Sequence, residues 1–105
     1  SWIAYNARGR GQIVIDLGAY QAIENNKSLL PSGIIEVRGE FRKGDVVDIL
    51  FENKIIGRGL TYFDYDALNK IKGKHSEEIE DIIGTKDYDE VIHKDNLVRK
   101  EITIE

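Results

Sequence analysis

The 105-residue sequence contains no cysteine and no methionine. Without cysteine, the chain cannot form a disulfide framework, a zinc ribbon or a cysteine nucleophile. The absence of cysteine fits a reducing compartment, and the start lacks the basic and apolar segments of a signal peptide. Apolar runs are also far shorter than the roughly 20 residues of a membrane span. We therefore expect a cytoplasmic protein with no membrane partner.

The first half of the chain also carries almost no net charge. The formal net charge is −4, but residues 1–58 contain eight Lys/Arg and seven Asp/Glu, whereas residues 59–105 contain seven and twelve. An acidic second half repels phosphate backbones, and strong nonspecific nucleic-acid binders show the opposite balance. The length fits one domain. Because position 1 is Ser, we expect residues 1–105 to be one domain cut from a longer chain.

The single proline lies in the most informative stretch, residues 28–50. Pro31 presets φ for a turn that ends at Gly33, and Gly44–Asp45 marks a second turn. Between the two turns, apolar and charged residues alternate, which predicts a half-buried strand. Its predicted inner residues are Ile35, Val37 and Phe41, and its outer residues are Glu36, Arg38 and Glu40.

Short elements surround this stretch. The pattern predicts a strand at Gln12–Asp16, a helix capped by Asp16 or Gly18 and ended by Asn25, strands on either side of a hairpin at Glu52–Lys54, and helices at Asp64–Gly73 and Ser76–Gly84. Val91–Ile92 and Leu97–Val98 look extended, and we expect one of them to close the sheet. Short strands with tight turns favour a small barrel or sandwich. The pairing of Ile102–Glu105 stays open.

A series of motifs along the chain carries a family resemblance. They are Trp2–Ile3, Gly18–Ala19, Ser28–Pro31, Gly33–Ile34, Gly44–Asp45, Gly57–Leu60, Ile71–Lys74 and Val91–Val98. In these motifs the chain resembles PUA domains, and in its Val91–Val98 ending it resembles the PUA domain at the C-terminus of the glutamate 5-kinases. The resemblance implies a mainly β fold with short helices, a five- to six-strand pseudo-barrel. Lys94 departs from the family pattern, which has Arg there, and Phe63–Asp64 replaces small hydroxylated residues.

The resemblance also implies a function for the longer chain. An amino-acid kinase domain upstream would use ATP and Mg²⁺ to phosphorylate L-glutamate, the first step towards proline. The chain itself would be non-catalytic, with no cofactor of its own. It would support and regulate that kinase domain and any homo-oligomer of the parent enzyme.

Few residues of the chain suggest catalysis. Ser76 and His75 are adjacent in sequence, which rarely gives the geometry of a nucleophile and its base, so we interpret Ser76 as a helix cap. We expect His93 to be satisfied by local hydrogen bonds, and it lacks a third ligand nearby for a metal site. The carboxylate run 77–81 is typical of a solvated helix face. The sequence therefore predicts no catalytic residue and no metal site.

An alternative function is RNA binding. In PUA domains, RNA lies against the first helix, the loop after it and the neighbouring strands. The corresponding surface, a candidate for RNA or for a protein partner, comprises Gly18, Ala19, Tyr20, Lys27, Ser28, Pro31, Gly33 and Arg38. A glycine turn lets backbone N–H groups approach a phosphate, and Lys27 adds a charge. Against RNA, the surface has few basic residues and no evident second aromatic beside Tyr20 for base stacking.

Overall fold

The computed structural model describes residues 10–100. Its strands are β1 (Gly11–Ile15), β2 (Ile34–Gly39), β3 (Val46–Phe51), β4 (Lys54–Leu60) and β5 (Leu97–Arg99). Its α-helices are α1 (Leu17–Glu24), α2 (Tyr65–Ile71) and α3 (Ile79–Ile83), and short 3-10 turns lie at Pro31–Gly33, Ser76–Glu78 and Lys94–Asn96. The Trp2–Ile3 motif and the Ile102–Glu105 tail lie outside the described residues.

The five strands form one mixed sheet in the order β2-β1-β3-β4-β5. β1 runs parallel to β3, and the other neighbours are antiparallel. An isolated bridge between Leu29 and Ile92 joins the segments that lead into the two edge strands. The bridge brings the two edges of the sheet close to each other. The helix α2 packs against β2. The prediction of a mainly β pseudo-barrel with short helices is therefore confirmed, with five strands within residues 10–100.

A β-bulge changes the faces of β2. Ile34 pairs with Ile15, but Glu36 already pairs with Val14, so Ile35 is an extra residue without a direct partner on β1. An extra residue shifts the side-chain alternation by one position. As a result Ile34 is 3% exposed and Ile35 is 57% exposed. The prediction that Ile35 faces the core was wrong, whereas Val37 and Phe41 are buried as predicted.

The β3–β4 hairpin has the tight turn that its sequence predicts. Glu52 and Asn53 have φ of 52° and 66°, the left-handed values that a type I′ turn requires at both central positions. Asn adopts these φ values readily. Glu52 adopts a positive φ because the turn geometry requires it. Further along β4, a Cβ added to Gly57 would lie 2.8 Å from the carbonyl oxygen of Val98. Gly57 thus permits the close approach of the β5 backbone to β4.

The helices α1 and α2 begin at the predicted aspartates. The side chain of Asp16 accepts a hydrogen bond from the backbone N–H of Ala19, and Asp64 accepts one from Ala67, both at 2.8 Å. Ser76 does not cap the next helix. The backbone N–H of His75 instead donates to Glu78 Oε2 at 2.9 Å, which is half of a capping box that begins one residue earlier than predicted.

The core lies between the sheet and the helices. Its fully buried aliphatic residues include Ile13, Ile15, Ile23, Leu29, Val47, Ile49, Leu68, Ile71, Ile79, Val91 and Ile92. Residues from β1 to β4 and from α1, α2 and α3 contribute to it. In the described part of the chain, no helix is long and apolar enough to cross a membrane.

Candidate binding surface

Five of the eight predicted surface residues line one groove, which we call the α1 groove. It has a volume of about 250 Å³ and lies between the start of α1 and the loop that follows the helix. Its walls are Asp16, Gly18, Ala19, Ala22, Lys27, Ser28, Leu30, Ser32 and Gly33. The groove forms because Ile15 at the end of β1 pairs with Ile34 at the start of β2, so that the start of α1 lies beside the Pro31–Gly33 turn.

Gly33 serves the packing of this groove. A Cβ on Gly33 would lie 2.5 Å from the Cβ of Ala19, so only glycine lets the turn approach α1 this closely. The carbonyl of Gly33 accepts a hydrogen bond from the N–H of Asp16 at 2.9 Å, and its own N–H donates to Leu30 at 3.3 Å. Both backbone groups of Gly33 are therefore used within the fold. Gly18, by contrast, has ample space at the helix start.

Ser28 connects the loop after α1 to a distant part of the chain. Its Oγ accepts a hydrogen bond from the backbone N–H of Lys94 at 2.8 Å. One residue later, Leu29 donates to the carbonyl of Ile92 at 2.9 Å. These contacts fix the loop that contains Lys27, so that Lys27 is presented from a braced backbone.

Tyr20 lies outside the α1 groove and has an aromatic partner that the sequence did not predict. Its ring stacks on Phe51, with centroids 4.4 Å apart and planes 11° from parallel. Phe51 ends β3, 31 positions further along the chain. The stack depends on the pairing of β1 with β3, and no local sequence signal indicates such a long-range contact.

Pro31 and Arg38 are the other two predicted residues outside the α1 groove. Pro31 is buried, and its carbonyl accepts a hydrogen bond from Gly73 at 2.8 Å. Arg38 is on the exposed face of β2, where its Nε donates to Glu36 Oε2 at 2.7 Å. This hydrogen bond lowers the pKa of the Glu36 carboxyl and raises the pKa of Arg38. The Arg38 charge is thus partly satisfied within the strand.

The residues considered for catalysis form hydrogen bonds with the backbone. His93 Nδ1 accepts a hydrogen bond from the backbone N–H of Asp95 at 3.0 Å, which confirms the prediction of local satisfaction. Ser76 Oγ donates to the carbonyl of Asp89 at 3.0 Å. Across residues 10–100, no group of three or more His, Asp or Glu side chains is arranged to hold a metal ion.

Comparison with known families identifies the fold. The family model described as "PUA domain" matches residues 11–83. The chain belongs to the PUA domain family. The match spans β1 to α3 and therefore includes the whole α1 groove.

Relatives of this PUA domain are glutamate 5-kinases. The glutamate 5-kinases of Carboxydothermus hydrogenoformans and Thermoanaerobacter sp. (strain X514) are each 48% identical to it over 99 residues, which is 92% of this chain and 27% of theirs. That of Methanococcoides burtonii is 45% identical over 96 residues, 91% of this chain and 25% of its own. The chain thus spans about a quarter of the length of these curated relatives.

Solved structures support the PUA fold independently. A PUA domain from Aeropyrum pernix K1, solved as a tartrate complex, has a TM-score of 0.58 at 23% identity and covers 80% of this chain and 41% of its own. A conserved PUA domain protein from Thermoplasma acidophilum has a TM-score of 0.55 at 26% identity and covers 69% and 49%. At such identities the likeness establishes the architecture alone.

Proposed function

We propose that this PUA domain is the C-terminal accessory domain of a glutamate 5-kinase of the cytoplasm. The observation that carries the proposal is 48% identity over 92% of this chain to enzymes of that name. In the proposed parent, an amino-acid kinase domain upstream transfers the γ-phosphate of ATP to L-glutamate and supplies the sites for ATP and Mg²⁺. The domain described here contributes structure and regulation, including the response to proline.

The hydrogen bonds of Ser76 and His93 to the backbone support a non-catalytic role. A nucleophile needs a neighbouring base within hydrogen-bond reach and a third group that orients the base. Ser76 Oγ instead donates to a backbone carbonyl, and His93 accepts from a backbone N–H. The Ser76 hydroxyl thus directs its proton to the backbone and not to a histidine, which supports the proposed non-catalytic role.

The α1 groove is the proposed contact face with the kinase domain. Leu30 in its wall is 45% exposed, and Leu17 beside it at the helix start is 56% exposed. Exposed aliphatic side chains next to a groove are typical of surfaces that pack on another domain. Lys27 at the rim adds a charge that can pair with a carboxylate of the kinase domain. Tyr20, Arg38 and the acidic face of α3 are further candidates for this contact or for a homo-oligomer.

A domain exchange tests this function. The matching segment of the Carboxydothermus hydrogenoformans enzyme is replaced by this chain, and glutamate phosphorylation is assayed with and without proline. We expect the chimera to retain activity and proline inhibition, whereas removal of the segment alters one or both. In the chimera, Leu17→Ser with Leu30→Ser should reproduce the effect of removal, because it makes the proposed contact face polar.

Two further results bear on the proposal. A chimera carrying Ile35→Ser, which changes an equally exposed aliphatic residue outside the α1 groove, should behave like the unmodified chimera. The isolated 105-residue chain should not phosphorylate glutamate. Phosphorylation by the isolated chain, or a chimera indistinguishable from the truncated enzyme, would refute the accessory role.

The Tyr20–Phe51 stack favours RNA binding as a second candidate function. Aromatic rings that carry bases are a common feature of single-stranded RNA sites, and this pair supplies the second ring. Titration with a structured RNA at low and moderate salt tests it, because phosphate contacts are strongest at low salt. Binding that weakens with salt and with Tyr20→Ala would support an RNA module, and no binding at low salt would exclude it.

A further inference from the structure

A second groove lies on the other side of Lys27, between the end of α1 and β5. Its volume is about 290 Å³, and we call it the basic groove. Buried Ile23 and half-buried Leu97 form apolar parts of its lining. Lys27, Lys94 and Arg99 also line it. Three cations from three different segments therefore surround one small concave space.

The backbone around the basic groove is braced. The N–H of Lys94 donates to Ser28 Oγ at 2.8 Å, and this bond ties the turn that carries Lys94 to the loop that carries Lys27. Arg99 Nη1 donates to the carbonyl of Glu24 at 3.3 Å and to its Oε1 at 3.2 Å, which ties β5 to the end of α1. A preorganised frame lowers the entropy cost of binding a small ligand.

The charges of the basic groove are only partly compensated. Arg99 forms an ion pair with Glu24 at 3.2 Å, and the Asp95 carboxylate also lines the groove. Within residues 10–100, the ammonium groups of Lys27 and Lys94 make no hydrogen bond or ion pair. The groove thus carries a local positive excess in a chain whose net charge is −4.

We propose that the basic groove binds a small anion of the phosphate class, such as a phosphate monoester. Two ammonium groups from separate segments and a guanidinium can contact a tetrahedral dianion from different sides, and Arg and Lys are the usual phosphate ligands. The groove is the size of a small-molecule site. The carboxylates of Glu24 and Asp95 limit its positive surface to a short patch, which suits a compact anion better than an extended polyanion.

The test is an NMR titration of the 105-residue chain with inorganic phosphate. Ionic strength is held constant with sodium chloride, so that nonspecific screening stays the same throughout. We expect saturable shifts of the backbone amides at Asn26–Ser28 and Lys94–Leu97. Lys27→Gln and Lys94→Gln should each weaken binding about fivefold, as expected for loss of one charge contact. Lys94→Arg keeps the charge and should retain binding.

Lys70→Gln is the matched control, because Lys70 is an exposed lysine on α2 away from the groove. It should leave the phosphate affinity unchanged. Shifts that do not saturate, or equal weakening by Lys70→Gln and Lys94→Gln, would overturn the proposal. A structured RNA that binds this face while inorganic phosphate does not would also overturn it and would point to a polyanion site. All variants change surface residues, so amide spectra report directly whether the fold is intact.

Discussion

Residues 10–60 are held in place by backbone ladders as well as by buried side chains, whereas residues 61–100 are held mainly by buried side chains. The first half contains four strands joined by three ladders. The second half adds only the three residues of β5 to the sheet. It is anchored instead by Leu68, Ile71 and Ile79, which are fully buried. Many backbone hydrogen bonds hold each ladder, so the loss of a single contact in the first half should matter little. We therefore expect the second half to be more sensitive to the loss of one of its few contacts with the sheet.

Gly59 lies where the two halves meet and provides the largest expected effect. A Cβ at this position would lie 2.5 Å from Ile92 Cγ2 and 3.0 Å from the carbonyl oxygen of Asn96. Ile92 is fully buried, so its side chain cannot move aside without disturbing the core. We expect Gly59→Ala to lower the free energy of unfolding by about 2 to 3 kcal/mol, measured by urea denaturation.

Gly44→Ala is the matched control within the first half. No heavy atom lies within 4 Å of its Cβ position, but its φ of +91° disfavours any other residue. The cost is then backbone strain alone, about 1 kcal/mol. If Gly44→Ala were as destabilising as Gly59→Ala, the junction would not be the more sensitive region and the comparison of the two halves would fail.

The sequence predicts the first half of the fold better than the second because its signals are local. The turns at Gly44 and Asn53 depend on the positive φ values of single residues, and their neighbours show the alternation of strands. Alternation places Ile35 on the wrong face because it assumes a regular ladder, and the bulge opposite Val14 depends on the partner strand.

In the second half, the sequence predicts helices but not the contacts that hold them. The helix α3 forms within the predicted range, and its Ile79 is fully buried. Ser76, by contrast, is not the predicted cap, because its hydroxyl donates to Asp89, 13 positions away. The residues next to Ser76 in the sequence do not indicate a hydrogen bond to so distant a position.

The α1 groove and the basic groove also differ in how far the sequence predicts them. The α1 groove was predictable because its residues all fall within one stretch of 18 residues, from Asp16 to Gly33. The basic groove was not predictable, because Lys27 and Lys94 are far apart in the sequence. A hydrogen bond between Ser28 and Lys94, which are 66 positions apart, brings the two lysines to the same groove. The sequence therefore predicts that Lys27 is a surface residue but does not predict its neighbours in the basic groove.

The N-caps of α1 and α2 allow a sharper comparison, because each half contains one with the same geometry. Asp16 and Asp64 each accept a 2.8 Å hydrogen bond from the backbone three residues on. We expect Asp16→Ala and Asp64→Ala each to lower the free energy of unfolding by about 1 kcal/mol. The loss should be greater for Asp16, because its hydrogen bond is partly buried and α1 starts where Gly33 packs.

Replacement by Asn separates capping from charge at these two positions. Asn also accepts the cap hydrogen bond, so Asp16→Asn and Asp64→Asn should recover most of the stability lost in the Ala variants. Urea denaturation of the four variants gives the comparison. A larger loss at Asp64 would mean that the second half depends on its helix start more than on its buried isoleucines.

The smallest effects come from one exposed ion pair in each half, and they differ in the pH at which they disappear. Arg38 lowers the pKa of Glu36 below its ordinary value of 4.5, so this pair stabilises the fold above that pH and is lost as the pH falls through the folded-state pKa. Asp89 raises the pKa of Lys86 above 10.5, so on the alkaline side this pair is lost only as the pH rises through that higher value.

Thermal unfolding measured at several pH values tests this difference. Glu36→Gln should lower Tm by about 1 °C at pH 7 but leave it unchanged at pH 3. Lys86→Gln should lower Tm by about the same amount at pH 7 and still do so at about pH 10. Since both pairs are solvent-exposed, about 1 M salt should remove both effects, and a difference that persists in salt would show that these side chains act through packing rather than charge.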